Sequence, residues 1–99
     1  MTVYVIAQLT FTDRAAYRRY QERFMAVMNR YRGRLLVADE KPLVLEGAWD
    51  RDKLVLMSFP DEAAYREWAD SPAYREISKD RKAGAEAVVL LVKAIPGAD

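Results

Sequence analysis

Leu45-Glu46-Gly47-Ala48-Trp49 leads through Asp50-Arg51-Asp52 into Lys53-Leu54-Val55-Leu56-Met57-Ser58-Phe59, and Pro60-Asp61 follows at once. This stretch decides the fold. Lys53–Phe59 is an apolar run of strand length, and Asp50-Arg51-Asp52 is a polar turn before it. Asp61 is a helix N-cap, and Ala64, Tyr65 and Trp68 fall on one face of the helix that follows. Ser71-Pro72-Ala73-Tyr74 then breaks and restarts the helix, because proline is excluded from a helix interior but suits its first turn behind a serine cap. A second short helix runs on to Arg81.

Working outward, residues 2–11 are β-branched and apolar and predict a strand. Thr12-Asp13 signals a helix start. Tyr17, Tyr20, Phe24, Val27, Met28 and Tyr31 recur at steps of three and four, one face of a helix. Gly33 reads as its C′ residue. Arg34–Ala38 is a second strand, Asp39–Pro42 a turn, and Leu43–Glu46 a separate short strand or arm. Glu86–Ile95 is the last strand and Pro96–Asp99 a tail. The order β-α-β-β-α-β, with two right-handed crossovers, predicts a ferredoxin-like α+β domain over residues 1–99, its antiparallel sheet carrying both helices on one face.

The strands are apolar on both faces. Val3, Val5, Ala7 and Leu9 oppose Tyr4 and Ile6. Val55, Met57 and Phe59 oppose Leu54 and Leu56. Val88, Leu90 and Val92 oppose Val89, Leu91 and Ile95. Two helices cover one face only, and the other exceeds the apolar patch that monomers tolerate. A homodimer packed sheet to sheet satisfies it. The alternative is a monomer whose arm, residues 39–50, folds over the sheet.

Composition narrows the chemistry. The 99 residues are 52% hydrophobic and 31% charged, with 16 basic and 15 acidic side chains. A net charge of +1 gives no electrostatic footprint for nucleic acid or an anionic membrane. Cysteine and histidine are absent. Thiol catalysis, a zinc site, a haem with a His or Cys ligand and a Ser-His-Asp triad are thereby excluded. No loop motif supports an all-oxygen metal site, and no cofactor is expected. Met1-Thr2-Val3-Tyr4 has no basic region before its apolar run, and the longest apolar run, Ala87–Val92, is too short for a bilayer. A cytoplasmic location is the expectation. Gly33, Gly47, Gly84 and Gly97 form no phosphate loop, and Lys53–Phe59 lacks the Gly-aromatic pattern of RNA-binding sheets.

The chain resembles domain of unknown function family 1330, of the dimeric α+β barrel superfamily, over nearly its whole length. The resemblance lies in Tyr4-Val5-Ile6-Ala7, Gly33-Arg34, Leu45-Glu46-Gly47 with Trp49, Phe59-Pro60, Trp68, and Ser71-Pro72-x-Tyr74 with Arg81 seven residues on. Two positions depart from the family pattern: Tyr31-Arg32 stands before Gly33 where His-Gly is usual, and Ala73 stands where Glu is usual. The resemblance implies a barrel-like dimer with a pocket between sheet and helices. Superfamily relatives include cofactor-free monooxygenases, lactone isomerases and haem enzymes, and the last need a histidine this chain lacks.

Glu46 shares a strand face with Val44, so partial desolvation would suit it to proton transfer; alternatively it pairs with an arginine and locks the arm. Arg81 suits a ligand carboxylate, an ion pair with Glu46, or helix-end carbonyls. Arg34 is a weaker carboxylate candidate. Trp49, Tyr65, Trp68 and Tyr74 are core aromatics or the walls of a site for a flat, partly polar molecule. Ser71 is a cap. Three functions stay open. One is a cofactor-independent isomerase or monooxygenase acting on a small aromatic or enolic acid, with Glu46 as base and Arg81 as anion stabiliser. The second is a small-acid-binding dimer without chemistry. The third is an interaction module with a filled pocket.

Overall fold

A computed structural model describes residues 1–98. These form β1 (Val3–Phe11), α1 (Arg14–Met28), β2 (Arg34–Asp39), β3 (Lys53–Phe59), α2 (Glu62–Ala69), α3 (Pro72–Gly84) and β4 (Ala85–Lys93). The sheet order is β2-β3-β1-β4, with every neighbouring pair antiparallel. This is the ferredoxin-like α+β fold. Its extents of 38 × 37 × 16 Å suit one sheet under one layer of helices.

The caps form where the sequence places them. The Asp13 carboxylate accepts from Ala15 and Ala16 N–H, and Asp61 accepts from Ala64 N–H. The Ser71 hydroxyl accepts from Tyr74 N–H at 3.0 Å and donates to the Trp68 carbonyl at 2.7 Å. One side chain thus closes α2 and opens α3. Val3, Val5, Ala7 and Leu9 face the helices and join Tyr17, Tyr20, Phe24, Met28, Phe59, Trp68 and Ile77 in the core.

Four expectations need correction. α1 ends at Met28 with Asn29 as its cap, so Tyr31 lies beyond it and Gly33 is not its C′ residue. Gly33 has no positive φ. A Cβ there would lie 2.7 Å from the Met28 sulfur and against the Phe59 ring, so close packing is what requires glycine. Leu43–Glu46 forms no strand: Pro42 and the left-handed Gly47 interrupt the extended run. The helix after Ser71 is the longer of the pair, 13 residues against 8. β4 begins one residue earlier than expected and ends two earlier. Within the tail Pro96–Asp99, Asp99 lies outside the described residues.

The other sheet face is apolar and open. Val88, Leu90 and Val92 are exposed, Leu90 at 49%. The arm reaches this face, since Trp49 Nε1 donates to Gln8 Oε1 at 3.2 Å, but Leu43 and Leu45 point to solvent. The arm therefore does not cover the sheet.

Candidate functional site

A cavity of about 640 Å³ lies between the helix-facing side of the sheet and the helices. Its size is that of a small-molecule site. α1 contributes Tyr17, Tyr20, Gln21, Phe24 and Met25, spaced as one helical stripe. α3 contributes a second such stripe in Tyr74, Arg75, Ser78, Arg81 and Lys82. Val5, Ala7, Leu9, Lys53, Val55 and Met57 form the floor. Tyr65 and Trp68 close one side.

The aromatic wall is continuous. Tyr17 meets Tyr20 at 5.6 Å, Tyr20 meets Phe24 at 5.7 Å, and Phe24 meets Trp68 at 6.0 Å between ring centres. Trp68 lies 4.0 Å from Tyr74. The Ser71 junction fixes this last pair, because it bonds Trp68 and Tyr74 together through one hydroxyl. The hydroxyls of Tyr20 and Tyr74 share a hydrogen bond of 3.0 Å. Among the described residues Trp68 Nε1 is buried without a hydrogen-bond partner.

The charged lining is asymmetric. Among the described residues Lys53, Arg75, Arg81 and Lys82 stand against Asp70 alone. Lys53 is only 4% exposed. Its Nζ lies 4.9 Å from the centre of the Tyr17 ring. Among the described residues no acid lies within ion-pair distance of it. Burial pulls its pKa below the ordinary 10.5, and the charge of Glu40 opposes that only in part. Arg81 is half-buried and also forms no ion pair among the described residues. Its charge reaches the phenols of Tyr17, Tyr20 and Tyr65. Burial nonetheless pushes Tyr17 up to about 12 and raises Tyr20 and Tyr65, so all three are neutral donors near neutral pH.

The structure separates the residues expected to act together. Arg81, Tyr65, Trp68 and Tyr74 line the cavity. Glu46 does not: it is exposed in an irregular part of the arm, with no strand to bury it beside Val44. Glu46 and Arg81 neither pair nor share the cavity. Trp49 binds Gln8 on the opposite sheet face. Arg34 is exposed opposite Ser58, also on that face. Lys53 is the buried charged residue of the lining that is not among the sequence candidates. Its signal was parity: it sits two, four and six residues before Val55, Met57 and Phe59, on the inward face.

The sequence profile of the Domain of unknown function (DUF1330) matches residues 2–95. The chain belongs to this family. A protein of unknown function from Rhodopseudomonas palustris, RPA0582, is similar in structure, with a TM-score of 0.80 at 20% identity over 95% of this chain and 82% of its own. SnoaB, a cofactor-independent oxygenase from Streptomyces nogalater, superposes with a TM-score of 0.70 at 18% identity, covering 95% of this DUF1330 chain and 93% of its own. A dimeric ferredoxin-like protein of unknown function from Jannaschia has a TM-score of 0.71 at 16% identity, covering 95% and 100%. At these identities the likeness is one of fold. A comparison with curated proteins finds no match. Among the described residues of this DUF1330 member, no cluster of three or more acids is placed to hold a metal, and no helix is long and apolar enough to cross a membrane.

Proposed function

We propose that the cavity binds a small aromatic or enolic acid and acts on it without a cofactor, as an isomerase or a monooxygenase does. The observation that carries this reading is the pair of cations, Lys53 and Arg81, that line an aromatic cavity without an acid partner among the described residues. A buried cation without a counter-ion is costly, and an anionic ligand supplies what the protein omits. The tyrosine and tryptophan rings suit a flat ligand body. The likeness to a cofactor-independent oxygenase agrees with this reading but is one of fold alone.

Binding without chemistry is the second reading. It is favoured by the lack, among the described residues, of a lining carboxylate other than Asp70 to act as base. Either reading is tested by equilibrium dialysis against a panel of hydroxyaryl and enolic acids. Wild type binds at least one member, Arg81→Gln weakens that binding tenfold or more, and Glu46→Gln leaves it unchanged. A panel without a binder, or an Arg81→Gln variant with full affinity, removes the proposal.

We also assign the open sheet face to a second copy of the chain, giving a homodimer in which the exposed Val88, Leu90 and Val92 are covered. Structural neighbours described as dimeric support this assignment.

A further inference from the structure

We infer that the arm between β2 and β3 is a clasp for the second copy of the chain, and that its Leu43, Val44 and Leu45 lie along the free β4 edge of that copy. This rests on the proposal that a second copy covers the open sheet face.

The arm is longer than its connection needs. β2 and β3 are antiparallel neighbours, which roughly two to five residues commonly join. Here the connection runs from Glu40 to Asp52. A connection of that length without secondary structure is uncommon unless it has a use. The arm is also tied down at both ends. Lys41 N–H donates to the Asp39 carboxylate at 2.8 Å. At the other end Asp52 N–H donates to the Leu9 carbonyl at 2.7 Å, and the Asp52 carboxylate accepts from Phe11 N–H at 2.8 Å. Trp49 is held to Gln8 on the outer sheet face. Between these ties, among the described residues, no hydrogen bond reaches Leu43, Val44 or Leu45. Pro42 and Gly47 keep this segment from pairing in its own sheet. Leu43 is 83% exposed and Leu45 88%, more than any large apolar residue of the strands. A fixed arm thus presents aliphatic side chains that its own chain does not bury.

The sheet offers one edge that suits them. Its edges are β2 and β4. β2 is short, carries Arg34 and Asp39 at its ends and shifts register between Leu35 and Val37, all features that blunt an edge. β4 is nine residues long, keeps one register against β1, and has no charge from Ala87 to Val92. Its exposed apolar residues lie on both faces. Val88, Leu90 and Val92 point outward, whereas Val89, opposite the inward Ala7, is on the helix side. A facing sheet covers the first three and cannot reach Val89. A segment laid along the edge covers the rest.

Symmetry brings the arm there. Sheets packed face to face are related by a two-fold axis between them. When that axis runs along the strands, the β2 edge of each copy stands over the β4 edge of the other. The arm leaves β2 at Asp39 and lies on the outer side at Gln8, the side on which the second copy sits. Facing sheets are about 10 Å apart, a gap that about three extended residues cross.

The test places the photo-crosslinker p-benzoylphenylalanine at Val44 and mixes that chain with wild type uniformly labelled with nitrogen-15. Light scattering and dilution measure the dimer in parallel. Irradiation is expected to join the arm to labelled peptides containing Ala85–Lys93. Leu43→Ser with Leu45→Ser is expected to raise the dimer dissociation constant at least a hundredfold, since each substitution occurs twice per dimer, with circular dichroism unchanged. A dimer whose crosslinks stay within one chain, or join arm to arm, overturns the β4 seat and leaves the homodimer standing. So does a double variant that dimerises as tightly as wild type. A wild type that is a single chain at micromolar concentration overturns both.

Discussion

Lys53 Nζ sits 4.9 Å from the centre of the Tyr17 ring, with the lysine side chain buried and, among the described residues, no carboxylate within ion-pair distance. The ring's negative face attenuates the cost of burying the cation but does not replace a counter-ion. A group so placed works against the stability of the free protein.

The first prediction concerns that cost. Lys53→Met keeps the length of the side chain and removes the charge, so the free protein should gain roughly 1–2 kcal/mol. For a domain of this size each kcal/mol raises Tm by about 4–8 °C. The gain depends on pH with a definite sign. The native pKa of Lys53 lies below 10.5, so the unfolded chain binds the extra proton between those two values. Wild-type stability at this site is therefore lowest below the native pKa and recovers as pH rises towards 10.5. The difference between the two proteins should shrink over that window. A variant less stable than wild type at neutral pH would mean that the amine has a structural partner.

The tyrosines give an effect of opposite sign. Tyr17 and Tyr20 have raised pKa values because burial disfavours the phenolate. Above their ordinary value of 10.0 the unfolded chain ionises while the native protein holds its protons. Stability is fully present below 10.0 and falls as pH rises, for Tyr17 until about 12. Each group contributes up to about 1.4 kcal/mol per pH unit. Denaturant titrations across this range should show the fall, and Tyr20→Phe should flatten it while losing the hydrogen bond to Tyr74. An equal slope in the variant would place the alkaline transition elsewhere.

Much of this was legible in the chain. Asp13, Asp61 and Ser71 were readable as caps because an oxygen-bearing side chain before an apolar helical stripe has few other uses. The inward faces of β1 and β3 followed from parity. Lys53 escaped because a lysine at a strand edge usually ends the strand and faces water, and nothing local says that α1 lies over it. Glu46 was misplaced for a related reason. Alternation with Val44 predicts its burial, and alternation means nothing where Pro42 and Gly47 keep the chain from pairing. The two-sided apolar sheet was readable. The Trp49 contact with Gln8, 41 residues apart, was not.

Gly84 offers a test of how the helices set the cavity. It ends α3 against the start of α1, its carbonyl accepting from Thr12 and Asp13 N–H at 2.9 and 3.1 Å. A Cβ there would lie 2.8 Å from the Asp13 carbonyl oxygen and against the backbone of Tyr17. Backbone cannot yield as a side chain can, so Gly84→Ala should cost about 1–3 kcal/mol and displace Tyr17. At Gly33 the obstacle includes the Met28 thioether, which can move, and Gly33→Ala should cost less. Thermal unfolding of the two variants checks the order. Equal losses would mean that the α1–α3 contact is softer than its geometry.

The open sheet face gives the last prediction. Leu90 and Leu56 occupy the side of the sheet away from the helices, on β4 and β3, and both flank Ile6 of β1. In a two-fold interface each residue occurs twice, so one substitution introduces two charges. Leu90→Lys should cost little in the free chain, because Leu90 is already 49% exposed there. In the dimer it would bury two ammonium groups without partners, a penalty of several kcal/mol that the remaining apolar contacts cannot offset. Light scattering at micromolar concentration should give twice the 11.4 kDa chain mass for wild type and one chain mass for the variant, with unchanged circular dichroism. A wild type that scatters as a single chain would leave the apolar face without its proposed cover. A variant that stays dimeric would move the interface to another surface, with the exposed Leu43-Val44-Leu45 of the arm the next place to substitute.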